Sequence, residues 1–100
     1  MIIVRDVFRL HFGKAKEARE LLERGVGVLR DAGYPVARVL ADVTGTYYTL
    51  VMEARFESLG AYERTLAEGT DQREWQEIYR QLVPLVREGH REVMREVVAA

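Results

Sequence analysis

From Ile2 to Phe12 the chain alternates. Ile2, Val4, Asp6, Phe8, Leu10 and Phe12 fall on one side of an extended strand, and Ile3, Arg5, Val7, Arg9 and His11 on the other. The first set suits a core; the second mixes aliphatics with basic groups. Gly13 ends this strand, and from Lys14 to Ala32 the spacing turns helical. Ala15, Ala18, Leu22, Gly25, Leu29 and Ala32 share a stripe that Leu21 and Val28 widen. A glycine inside such a stripe costs about 1 kcal/mol relative to alanine, so Gly25 points to a close approach of this helix to the sheet. Gly33 and Pro35 stop it.

Residues 36–43 and 47–56 read as two strands joined through Thr44, Gly45 and Thr46 as a hairpin. Ser58 caps a helix that runs to Ala67 with Leu59, Tyr62 and Leu66 on one side, and Gly69 breaks it. Asp71 and Glu74 form a capping box for the next helix, whose stripe is Trp75, Ile78, Tyr79, Leu82, Leu85 and Val86. Pro84 kinks or ends it, Gly89 closes it, and HREVMREVV at 90–98 is predicted as a last strand. A helix is the rival reading of that tail, because Glu and Arg suit helices.

The order β-α-β-β-α-α-β is a split βαβ pattern, and no linker or repeat divides residues 1–100, so a single domain is expected. The fold class is α+β and ferredoxin-like. Right-handed crossovers put all helices on one face of a four-stranded antiparallel sheet, in the order 4-1-3-2. The other face is left bare. It should carry Val7, Arg9 and His11 from the first strand and Tyr47, Thr49, Val51, Glu53 and Arg55 from the third, with Arg9 paired to Glu53. A half-apolar sheet face of this size marks an interface. Its simplest cover is a second copy related by a two-fold axis, with Val7, Arg9, Tyr47, Thr49, Val51 and Glu53 in the contact.

Composition removes several function classes. A net charge of −1 gives no bulk attraction to nucleic acid or an anionic membrane. The bare face offers Tyr47 but also Glu53, which argues against RNA stacking there. The absence of cysteine excludes disulfides, thiolate metal sites and a thiol nucleophile. The N-terminal stretch has four apolar residues before Arg5, short of a signal peptide, and no run suits a membrane span, so a cytoplasmic protein is expected. There is no asparagine, and Lys14 and Lys16 are the only lysines beside many arginines. This fits a thermophilic source, or equally a GC-rich genome.

The segment FRLHFGKAKEARELL resembles the first strand, glycine-lysine turn and first helix of the dimeric α/β-barrel superfamily. YTLVMEARFESLGAYE resembles its third strand and following helix start, and WQEIYRQLVPLVREGHREVMREV its last helix and strand. Within that group the chain is most similar to NIPSNAP-like proteins, related to antibiotic-biosynthesis monooxygenases. The resemblance implies two ferredoxin-like protomers packed sheet to sheet. Its motifs are specific to the fold and not to an activity.

Candidate chemistry is sparse. His11, near the end of the bare face, is either a proton carrier or an edge histidine with a hydrogen bond. His90, with Trp75 and Tyr79, lines a pocket between helices and sheet, or else the rings are core aromatics and His90 a turn residue. Arg9 is the candidate oxyanion stabiliser. Asp6 faces the core side, where a lone carboxylate costs several kcal/mol. A bulge or an edge position is the expected resolution, and an arginine partner or a raised pKa the alternatives. No spacing supports a metal site, and no cofactor is predicted. The haem-degrading members of the superfamily use an asparagine this chain lacks. The sequence therefore predicts a small homodimeric α/β-barrel protein that binds a small apolar ligand or a protein partner. The alternative is a cofactor-independent monooxygenase or related enzyme using His11 or His90, Arg9, Trp75 and Tyr79.

Overall fold

In a computed structural model that describes residues 1–68 and 73–99, the alternating stretch becomes β1, Ile2–Leu10. It is followed by α1 (Ala15–Asp31), β2 (Val36–Ala41), β3 (Thr49–Phe56), α2 (Leu59–Glu68), α3 (Arg73–Leu82), a 3-10 turn (Val83–Leu85) and β4 (Val86–Arg95). The helix stop at Gly69 and the cap at Asp71 lie outside the described residues.

The sheet is antiparallel in the order β2-β3-β1-β4, the predicted arrangement. Partners across an antiparallel pair share a face. Hence Ile2, Val4, Asp6, Phe8 and Leu10 look toward the helices beside Leu50, Met52, Ala54 and Phe56. The apolar side chains of that face, Phe8 only partly buried, form the core with Ala18, Leu21, Leu22, Val26 and Leu29 of α1 and Ile78 and Leu82 of α3. At about 25 cal/mol per Å² of buried apolar surface this layer is the main favourable term. The helix-packing reason for Gly25 is specific. It faces the Trp75 ring of α3, so the close contact is helix to helix and not helix to sheet. Ser58 Oγ accepts from the Ala61 N–H at 3.1 Å, as a capping residue does.

Three boundaries differ from the pattern reading. The third strand begins at Thr49, because Tyr48 has φ 59° and turns the chain out of extended geometry. That left-handed conformation costs roughly 1–2 kcal/mol, offset by the Tyr48 ring packing 4.7 Å from that of Phe12. Tyr47 therefore sits in the β2–β3 loop, largely exposed, and not on the sheet face. Phe12 also lies beyond β1 and is 83% exposed, so it is not a core residue. Finally, Pro84 ends the last helix and β4 starts at Val86. Gly89 is thus a strand residue opposite Phe8, where a β-carbon would stand 3.0 Å from the Val7 carbonyl oxygen.

Candidate functional site

The outer sheet face is laced by charge. Arg38 Nε on β2 donates to Glu53 Oε1 on β3 at 2.7 Å, and Arg5 Nη1 on β1 donates to Glu53 Oε2 at 2.9 Å. Arg5 Nε continues to Glu92 Oε1 on β4 at 3.2 Å, and His90 Nε2 lies 3.4 Å from Glu92 Oε2. One ion-pair ladder crosses all four strands. The Arg38 hydrogen bond, followed by the charges of Arg38 and Arg5, holds the Glu53 carboxyl below its usual range although burial opposes this.

The expected Arg9–Glu53 pair does not form, because the register sets Arg5, not Arg9, opposite Glu53. Arg9 faces Thr49 and Glu88, and its Nε is enclosed without a hydrogen-bond partner. Val7, Thr49 and Val51 do share this face.

The inner face holds a different arrangement. A cleft of about 430 Å³ opens between the sheet and the end of α3. Its walls are Phe8, Met52, Trp75, Tyr79, Leu82, Val83 and Val86, and its polar floor is Asp6 and Arg91. Trp75 and Tyr79 stand one helical turn apart with ring centroids 5.9 Å apart. Asp6 is neither bulged out nor at an edge: it pairs regularly with Met52 and with Arg91 inside the central strand. Arg91 Nε donates to Asp6 Oδ1 at 2.6 Å, and Arg91 Nη1 donates to the Tyr62 hydroxyl at 3.0 Å. The hydrogen bond to Asp6 raises the Arg91 pKa further, so the guanidinium stays charged. Burial, then the Asp6 charge, push the nearby Tyr34 phenol up to about 12.

The histidines lie elsewhere. His90 pairs with Val7 on the outer face, so the sheet separates it from Trp75 and Tyr79. His11 follows β1; its N–H donates to the Leu85 carbonyl at 2.9 Å. Neither lines the cleft. The group that sequence reasoning missed is Arg91. The signal was present: alternation along REVMR puts Arg91 and Val93 on one side and Glu92 and Met94 on the other. Among the described residues no cluster of three potential ligand side chains could hold a metal ion. No helix among them is long and apolar enough to cross a membrane.

A model of the NIPSNAP family matches residues 5–100. The chain belongs to the NIPSNAP family. Among solved structures, this NIPSNAP chain is similar to an uncharacterized NIPSNAP domain protein from Burkholderia xenovorans. The TM-score is 0.88 at 14% identity, covering 100% of this chain and 98% of that one. A NIPSNAP-like domain protein from the same organism gives a TM-score of 0.87 at 21% identity, covering 99% and 87%. SnoaB, a cofactor-independent oxygenase from Streptomyces nogalater, gives 0.71 at 15% identity, covering 98% and 94%. At such identities these likenesses show that the NIPSNAP chain shares their ferredoxin-like fold. None of the curated proteins matches it.

Proposed function

We propose that this NIPSNAP chain is a cytoplasmic small-molecule-binding protein. It works as a two-fold homodimer joined through its outer sheet faces, each protomer holding a largely apolar ligand in the inner cleft. The observation that carries the binding reading is the cleft itself. Aromatic and aliphatic walls surround one ion pair, in a volume within the usual range for ligand sites. The dimer is supported by the outer face, where Ile3, Val7, Leu40 and Met94 lie among the ladder charges and Arg9 Nε is left unbonded. The arginine-rich ladder also suits a thermophilic source.

Binding is preferred to catalysis because no histidine lines the cleft and its one buried carboxylate is committed to Arg91. General acid–base catalysis most often uses a histidine within hydrogen-bond reach of the proton it moves.

Trp75 is the only tryptophan, so its emission reports the cleft directly. Titration with naphthalene should change it saturably, and Val83→Phe, which narrows the cleft, should weaken the effect at least tenfold. Folded protein whose emission ignores naphthalene would overturn the reading.

A further inference from the structure

The floor of the cleft has a particular electrostatic character. Arg91 and Asp6 form a contact ion pair, so their net charge is zero. Asp6 is buried, whereas Arg91 is half-exposed and lines the cleft. Two of the three guanidinium nitrogens are used, Nε on Asp6 and Nη1 on the Tyr62 hydroxyl. Nη2 has no hydrogen-bond partner among the described residues. The walls of the cleft are otherwise apolar apart from the Tyr79 hydroxyl and the Trp75 indole N–H. A ligand entering here meets the Arg91 guanidinium, whose Nη2 is uncommitted.

The three charge classes of ligand fare differently. A carboxylate gains the Arg91 donor, but it is desolvated and meets the fixed charge of Asp6 on the same guanidinium. An ammonium meets the Arg91 charge at close range, and the Asp6 carboxylate that would attract it is buried and already neutralised by Arg91. A neutral carbonyl oxygen accepts the Nη2 hydrogen bond with neither penalty. A hydrogen bond to a charged donor is among the stronger kinds.

We propose that the cleft selects an uncharged molecule whose apolar body carries one accepting oxygen, a ketone, ester or amide carbonyl, received by Arg91 Nη2. The proposal rests on the binding reading above and names the ligand class of that same site.

The test uses the full chain, Trp75 emission and four probes with one ring system: naphthalene, 2-acetonaphthone, 2-naphthoate and 2-(aminomethyl)naphthalene. The ketone should bind at least tenfold tighter than naphthalene, and neither ion should match it. In Asp6→Asn the floor gains one positive charge, so the ratio of naphthoate to ketone affinity should move at least tenfold toward naphthoate. In Arg91→Met the ketone's advantage over naphthalene should fall close to one. Because that variant strands Asp6 without a cation, the double variant Asp6→Asn, Arg91→Met is measured beside it and should show the same loss. Naphthalene binding with no ketone advantage, a preference for either ion, or an advantage that survives in the double variant would overturn this inference alone. Failure of every probe would overturn the binding reading itself.

Discussion

Trp75 on α3 lies so close over Gly25 on α1 that a β-carbon at position 25 would stand 2.8 Å from indole Cζ3. Alanine would raise helix propensity by about 1 kcal/mol, but overpacking costs roughly 1–3 kcal/mol. The ring also stands 5.9 Å from that of Tyr79 and forms a wall of the cleft, so moving it disturbs both. Gly25→Ala should therefore lower the melting temperature by several degrees and shift the Trp75 emission. A variant more stable than the parent, with unchanged emission, would show that the ring gives way freely.

Glu53 sets an acid-side dependence. Its carboxyl titrates below the ordinary 4.5, first because of the Arg38 hydrogen bond and then the arginine charges. The unfolded chain takes up this proton first as pH falls. The stabilisation is thus full above about pH 4.5 and lost as pH falls through the folded value. Glu53→Gln should flatten the decline in urea midpoint between about pH 5 and 3. At neutral pH it should cost about 1–2 kcal/mol, held to that size by the partial exposure of Arg5 and Arg38.

Tyr34 sets the alkaline limit. Its phenol is raised from 10.0 to about 12, chiefly by burial and next by Asp6. The neutral form keeps its full stabilisation below pH 10 and loses it as pH rises from there to the folded value, worth ~2–3 kcal/mol over that window. Tyr34→Phe should remove that part of the alkaline decline in urea midpoint. An identical decline would place the lability in another group.

The dimer is best probed where the outer face is least covered by its own neighbours. Val51 is already buried within one protomer, so Val51→Glu should compromise folding as well as association. Leu40, opposite Val51 on β2, is 37% exposed. Leu40→Glu should leave the far-ultraviolet circular dichroism unchanged while sedimentation shifts from twice the 11.5 kDa chain mass to one. A parent protein that sediments as a monomer would refute the proposed assembly.

Strand order and facing were legible because alternation and crossover handedness fix them once the elements are known. Ile2, Val4, Leu50, Met52 and Phe56 are buried as their parity demands. The site was read less well, since it depends on register. Taking Gly89 as a helix stop placed His90 at a corner beside Trp75. With Pro84 ending the helix, Gly89 lies in the strand, parity carries His90 outward, and Arg91 turns inward to Asp6. The Arg9–Glu53 expectation failed for a related reason. Both residues were assigned to the correct face, but only the pairing of Arg5 with Glu53 shows which basic group is opposite. Tyr47 was misplaced by a backbone turn at Tyr48 that its residue type does not announce, β-branched and aromatic residues being ordinary strand formers.

The order β2-β3-β1-β4 also governs how the molecule comes to be. β1 is made before the other elements, yet it is completed last, when Ile2 meets Arg95. Non-local pairing of this kind slows the final closure. On the ribosome, the floor of the cleft has no Arg91 until β4 emerges, and Asp6 must wait in water for its cation.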